Sequence, residues 1–445
     1  ARAVGSFSAR SRASCTEPFR RNGQLPTAAS ALWPSGTKVL SLSKWSASGT
    51  PATDGTRERI GVCVSSQNLQ CRRLMDDAYH ARLVAHLRLS LIEGVGPRLY
   101  QLLVNRFGSP EAVFSASEDA LLETPGVGRR LAARLRNPPS VAETEELIEN
   151  CYKAGIDILW IEHIRYPRLL KEIPDPPLAL FARGELKSED ELAVAIVGTR
   201  HASTYGLAMA ERLAAGLARA GVTIISGLAR GIDAAAHRGA LTAGGRTIAV
   251  LGSGVARIYP PEHTALAEEI VQHGALLSEA PPHAPPHGGM FPQRNRIISG
   301  MALGVVIVEA GESSGALITA RHAMEQNREV FAVPGRADSP NSRGCNRLLR
   351  DGAKWVESPE DVLEELGPLI RPVTRSDGTT IRQPAELKLT PLEQQVLQTV
   401  RSDPTPIDEV IALTGLAASQ VLAVISVLEM RKLIRRLGTN VQRLW

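Results

Sequence analysis

Residues 193–241 read AVAIVGTRHASTYGLAMAERLAAGLARAGVTIISGLARGIDAAAHRGAL. An apolar run of strand length breaks at Gly198-Thr199-Arg200, a segment with amphipathic helical spacing follows, and a second apolar run ends at Ser226-Gly227. Strand, glycine turn, helix and strand in this order form the repeating step of an α/β fold. A glycine turn ahead of a helix start leaves unpaired backbone N–H groups and the positive end of the helix dipole facing one spot, which suits a phosphate. Two such turns, at Gly198 and at Gly227 to Gly231, are expected side by side at the carboxyl edge of a parallel sheet. Open α/β sheets bind their ligands at that edge.

The alternation continues outward from this stretch. Apolar runs recur at 192–197, 222–226, 247–251, 276–279, 303–308 and 330–333, with helical patterns between most of them. Residues 161–184 are a proline-punctuated lead-in to one more short strand. The expected fold class is α/β: an extended Rossmann-like, doubly wound, mainly parallel sheet over residues 160–367, covered on both faces.

Residues 75–155 form a small all-α domain, with Gly94-Val95-Gly96 and Gly126-Val127-Gly128 between amphipathic segments. These pairs resemble helix-hairpin-helix elements that hold a backbone phosphate, with Arg129 and Arg130 adding charge; tight turns in a structural bundle explain them equally. Residues 368–388 are polar and read as a linker, and residues 389–445 as a winged helix. Its third helix, near 418–432, opens with Ala, Ser, Gln, Val and Leu. Without an arginine for guanine, protein contact or weak backbone contact is favoured over base readout. A purely regulatory module meeting duplex DNA through this domain is the remaining alternative.

The chain of 445 residues carries a net charge of +5. At about 150 residues per domain it suits roughly three domains. Residues 1–74 hold 11 Lys or Arg and 3 Asp or Glu, a net +8, which leaves −3 from Met75 onward. Global basicity therefore says nothing about the folded part, and residues 1–74 read as a disordered basic extension ahead of a first native start at Met75. No run approaches about 20 apolar residues, so no membrane span is expected. The five cysteines, Cys15, Cys63, Cys71, Cys151 and Cys345, fit neither a disulfide framework nor a zinc site, and a cytoplasmic location is expected.

Four clusters fall at or beyond strand ends. They are Gly198-Thr199-Arg200; Ser226-Gly227 with Arg230 and Gly231-Ile232-Asp233; Gly252-Ser253-Gly254 with Tyr259-Pro260; and Phe291-Pro292-Gln293-Arg294-Asn295-Arg296. Glycine lets backbone approach an anion, and a guanidinium clamps phosphate oxygens in pairs. The dinucleotide fingerprint that Gly252 and Gly254 begin fails at Arg257, where a third glycine belongs, and no GxxxxGK[ST] is present; no cofactor is expected. Asp233 and His237, four apart, form either an acid/base pair or a capping arrangement, and capping is favoured. Glu309 is placed to orient a ligand hydroxyl or to tie down the serine-rich turn after it. No metal-ligand spacing or catalytic set stands out.

The order VGTR, SGLARGIDAAAH, LGSGxxxxYP, FPxRNRIISG, VEAGxxSGALITA, VFAVPG and GCNRLL, with Tyr166-Pro167 and Asp175-Pro176-Pro177 ahead of it, resembles the DNA processing protein A family, DprA or Smf. The resemblance implies a non-enzymatic homodimer that binds single-stranded DNA and loads the RecA recombinase in natural transformation. It places the DNA site at Gly198, Arg200, Ser226, Gly227, Gly252, Gly254, Tyr259, Arg294 and Asn295. Thr199, Arg230, Ser253, Phe291 and Arg296 join from the same clusters. Some relatives carry a lysine after the YP pair; here Pro261 and Glu262 follow, with His263 the nearest replacement. The segment 320–333 is the expected dimer surface. A nucleotide hydrolase resembling the lysine-decarboxylase-like class is the alternative, but its PGGxGTxxE signature is absent, and the comparable turn is Glu309 to Gly315.

Overall fold

A computed structural model describes residues 79–367, 369, 372–374 and 378–444. The proposed basic extension and Met75 lie outside these residues. The centre is a nine-stranded sheet of β1 (Ile156–Trp160), β2 (Ala179–Gly184), β3 (Ala193–Val197), β4 (Thr223–Ser226), β5 (Thr247–Val250), β6 (Ala275–Ser278), β7 (Gly304–Ile307), β8 (Glu329–Ala332) and β9 (Lys354–Trp355). The spatial order is β1-β2-β6-β5-β4-β3-β7-β8-β9. All neighbours from β6 through β9 are parallel. β2 runs antiparallel to both β1 and β6.

The six apolar runs are β3 to β8. Each is short and continuously apolar because helices cover both faces. On β3 the period of two is visible in the packing. Ala193, Ala195 and Val197 enter one layer, with Ile297, Ile298, Ala316 and Ala320. Val194 and Ile196 enter the other, with Leu213 and Leu217. The helices that bear on the site are α1 (Thr204–Arg219), α2 (Ile232–Thr242), α3 (Thr264–His273), α4 (Met290–Gly300) and α5 (Ala316–Glu325).

Strand order decides where a ligand can enter. From β3 the chain steps to β4, β5 and β6 on one side, then returns to place β7 on the other. The crevice of an open sheet lies where this direction reverses. That point is between β3 and β7, not between the turns after β3 and β4 that the sequence pairs.

Residues 79–90 form a helix whose Leu83, Val84 and Leu87 pack with Trp160 and Phe181 of β1 and β2. The hairpins at Gly94 and Gly126 pack reciprocally. A Cβ on Gly94 would lie 3.4 Å from Leu131, and one on Gly126 3.9 Å from Leu99. Past β9, the stretch read as a linker carries structure. Val373–Thr374 pairs with Thr380–Ile381, the turn Pro384–Lys388 follows, and Glu386 accepts an ion pair from Arg443 at 2.9 Å. Ile381 packs into the α/β core and Ala385 into the C-terminal one, so apolar positions within a polar stretch make this a joint. The helices Pro391–Thr399, Ile407–Thr414 and Ala418–Met430, with a three-stranded sheet, complete a winged helix. The third helix exposes Leu422, Ala423, Ser426 and Met430 and carries no cation on that face.

Candidate functional site

The turns after β3 and β4 are interlocked. Thr199 donates its N–H to the carbonyl of Glu309 at 2.7 Å and accepts from Ile232 N–H at 3.3 Å. Gly231 stands at φ +75°, and a Cβ there would lie 2.3 Å from the Thr199 carbonyl, so only glycine fits. A Cβ on Gly198 would lie 2.5 Å from Ile232.

Both helix starts beside these turns already hold a carboxylate. Glu309 accepts from the Ser203 N–H at 2.9 Å and its hydroxyl at 2.6 Å, and Ser203 is the N-cap of α1. Glu309 thus ties down the start of α1, not the serine-rich turn that follows it. Asp233, in the first turn of α2, reaches back to accept from the N–H groups of Gly227 and Ala229 at 3.2 and 3.3 Å, so it holds the turn ahead of the helix and does not cap the helix itself, the arrangement the sequence favoured. Burial pushes its carboxyl upward, against the pull of Arg294. A carboxylate at a helix start does the work a phosphate would do there. The two turns singled out as phosphate sites therefore do not have free helix ends to offer.

The positive charge comes from side chains. A groove of about 630 Å³ opens at the β3–β7 reversal, walled by Gly198, Thr199, Arg200, Phe291, Arg294 and Asn295, and by the turn from Gly311 to Ala316. Arg294 lies in its floor, 6% exposed. One terminal nitrogen donates to the Gly227 carbonyl at 2.7 Å and to that of Val250, while Nε finds no acceptor. Burial pulls the guanidinium down to about 10, which leaves it a cation at neutral pH. No carboxylate forms a salt bridge with it among the described residues. Gly227 serves this side chain, since a Cβ would lie 2.2 Å from the guanidinium.

At the rim, the exposed Arg200 lies 5.4 Å from the centroid of the Phe291 ring, and Phe291 lies 5.7 Å from Tyr259. Gly252 makes room for Phe291, because a Cβ would come within 2.7 Å of the ring. Arg230 lines a narrow recess beside Arg200 and Tyr259 and pairs with Glu262.

Eight of the predicted residues are not on the groove's lining: Gly227, Arg230 and Tyr259 line the recess beside it, Gly252 backs Phe291, and four more are committed elsewhere. The fully buried Ser226 hydroxyl donates to the Ile196 carbonyl at 2.6 Å. That of Ser253 donates to Arg257 at 2.7 Å, closing its own turn. Gly254 packs against the carbonyls of Pro281 and Pro282. Arg296 is held by Glu279 at 2.8 Å and Asp175 at 3.2 Å, fastening α4 to the lead-in, where Tyr166 in turn bonds the Pro177 carbonyl at 2.7 Å. His263 is no substitute for the lysine, because it is buried with Nδ1 on the Leu228 carbonyl at 2.8 Å. His237 is fully buried against Thr247 and pairs with no acid.

The wall residues left out of the predicted site include His201, Ser313, Ser314, Gly315, Thr319 and Asn341. The first five had a readable signal, since they follow β3 and β7 at the same carboxyl edge. Asn341 had none; it reaches the site from a turn after β8 and donates to the His201 carbonyl at 3.0 Å.

Comparison with known proteins agrees with this architecture. Residues 157–367 match the family model for DNA recombination-mediator protein A, 381–439 that for the DprA winged helix domain, and 87–137 that for a SAM-like helix-hairpin-helix tandem. Protein Smf of Synechocystis is 36% identical over 379 residues, which is 78% of this chain and 95% of that protein. DNA processing protein DprA of Bacillus subtilis is 46% identical over 213 residues, 48% of this chain and 72% of its own. The X-ray structure of DNA processing protein A from Streptococcus pneumoniae superposes with a TM-score of 0.55 at 35% identity, covering 64% of this chain and 97% of that one. With this domain order and near full-length similarity to Smf, the chain belongs to the DprA/Smf family of DNA-processing proteins.

Proposed function

We propose that the protein binds single-stranded DNA along the groove at the β3–β7 reversal. The observation that carries this reading is Arg294, a buried cation in the groove floor with no salt bridge among the described residues. The buried Asp233 attracts it through space but forms no salt bridge with it, being bonded to the N–H groups of Gly227 and Ala229, so a polyanion in the groove supplies the close contact that Asp233 does not. Arg200 adds a second clamp at the rim. Tyr259 and Phe291 offer ring faces for about one or two bases, so binding is dominated by backbone and tolerant of sequence.

The reading assigns the protein no catalysis, in keeping with the commitment of Asp233 and His237 to the fold. As family membership implies, the bound strand passes from a homodimer to the RecA recombinase, with segment 320–333 the proposed dimer surface.

The test is Arg200→Ala in the full chain, because this exposed side chain anchors nothing in the core. Fluorescence anisotropy with a labelled 15-mer of dT is expected to show at least about a tenfold loss of affinity. The slope of log K against log salt is expected to become shallower by about 0.7, one phosphate contact. The melting temperature is expected to stay put. Wild-type affinity and slope would remove Arg200 from the site.

A further inference from the structure

We infer that the turn from Gly311 to Gly315, with the start of α5, is a second phosphate seat of the groove, one that takes a phosphate ester of the bound strand. The inference rests on the strand-binding reading and adds a wall to it that no arginine marks. The turn follows β7, on the far side of the reversal from the turns of β4 and β5. Gly311, Ser313, Ser314 and Gly315 all face the groove, whereas Glu312, the turn's one acid, is exposed and does not line it.

The ten-residue helix α5 has no acid in its first turn and no cap from its N-cap residue Gly315; the Ser314 hydroxyl accepts from the Ala316 N–H at 3.3 Å, so what the turn offers a ligand is its hydroxyls and the dipole end. Gly315 has φ −60°, which any residue adopts, and a Cβ there meets nothing within 4 Å. The open space beside it belongs to the groove.

The independent observation is Thr319, one turn into α5. It is 1% exposed and lines the groove, and among the described residues its hydroxyl bonds to no protein group while remaining open to the groove. A helical threonine ordinarily bonds back to the carbonyl four residues earlier, as Thr414 does to Val410 at 2.7 Å. For Thr319 that carbonyl is Gly315, which instead accepts from Asn295 at 3.3 Å and from Ile318 N–H at 3.1 Å. A hydroxyl that is otherwise enclosed and open only to the groove takes its partner from whatever occupies the groove. What fits is an acceptor oxygen at the positive end of a helix, and a phosphate ester supplies it.

The discriminating variant is Gly315→Asp. Aspartate is among the residues favoured at a helix start, so the fold is expected to melt at the wild-type temperature or above it. The same carboxylate fills the seat and repels an anion. Against the labelled dT 15-mer, Gly315→Asp is expected to lose at least about tenfold in affinity, with the salt slope shallower by about 0.7. Thr319→Val is expected to lose several-fold and Thr319→Ser to recover most of it.

Oligomers with and without a 5′-phosphate separate the sources. Equal losses on both mean an internal phosphate, and a loss confined to the phosphorylated one means a strand end. Arg200→Ala serves as the reference. If Arg200→Ala weakens binding while Gly315→Asp keeps wild-type affinity and slope, this seat is overturned and the strand-binding reading stands. If the full chain fails to bind the oligomer, both are overturned. If only Gly315→Asp weakens binding, the seat stands and Arg200 leaves the site.

Discussion

Arg294→Leu is expected to lower the unfolding free energy by about 3–5 kcal/mol, the range for removing one member of a buried charged network. Leucine fills much of the space but leaves the Gly227 and Val250 carbonyls without the guanidinium that serves both. It also strips the buried Asp233 of the cation that draws its carboxyl down. Those groups link the ends of β4 and β5 to α4, so the loss extends beyond one contact. Urea unfolding is expected to show a lower midpoint with the slope unchanged. Strand binding is expected to disappear even in conditions where the variant is fully folded. A midpoint within error of wild type would mean that Arg294 is not the keystone between the strands and α4. Retained binding would remove the central argument for the groove.

The roles of Arg294 and Arg296 also show what a sequence can and cannot say about a site. Two residues apart on a helix, they point to different faces, so they were never going to enter one groove together. That much was readable, and the sequence reading put both in the DNA site. Ser226 and Ser253 failed for a reason that was not readable. A serine at a strand end either faces a ligand or closes its own turn, and only the neighbouring carbonyls of Ile196 and Arg257 decide.

Strands β3 to β8 were legible because burial on both faces writes them as unbroken apolar runs. β9 was not, since its two residues, Lys354 and Trp355, are exposed at the sheet edge. The larger error concerned position. Residue order gives the turns after β3 and β4 as neighbours, and they are, with Val194 opposite Ile224. Nothing local states that β7 returns to the other side of β3, with Val194 opposite Gly304. The groove lies at that return, and with it the whole wall from Gly311 to Thr319. Two of the glycines serve the groove in a way other than the expected one. Gly227 and Gly252 admit Arg294 and Phe291, and these side chains, not bare backbone, face the groove.

Between pH 7.5 and 5 the protein is expected to lose about 4 kcal/mol of stability through two histidines that the fold keeps neutral. His86 has Nδ1 2.6 Å from the Tyr100 hydroxyl and Nε2 2.8 Å from the Leu178 carbonyl, so a single neutral tautomer satisfies both. Burial pulls its pKa down to about 4. His237 has Nδ1 2.7 Å from the Thr247 hydroxyl, which itself donates to Ile224, and Nε2 is sealed in the core without a partner. Burial, with His263 nearby, pulls it down to about 3. An unfolded histidine titrates near 6.5. The stabilisation is therefore complete above pH 6.5 and falls as pH drops toward the folded values, by about 1.4 kcal/mol per unit for each group. At pH 5 that is about 2 kcal/mol each. Asp233 acts in the opposite sense, because its raised carboxyl favours the fold as pH falls through its folded value. The contributions separate by substitution: His86→Gln and His237→Gln are each expected to be less stable at pH 7.5 and to flatten the profile by about half. Urea midpoints at pH 7.5, 6 and 5 measure this. A wild-type profile that stays level across that range in both variants and parent would show that neither imidazole is held neutral. A profile flattened by His86→Gln alone would place the acid-sensitive point at the contact between helix 79–90 and the segment leading into β2, leaving the groove intact at pH 5.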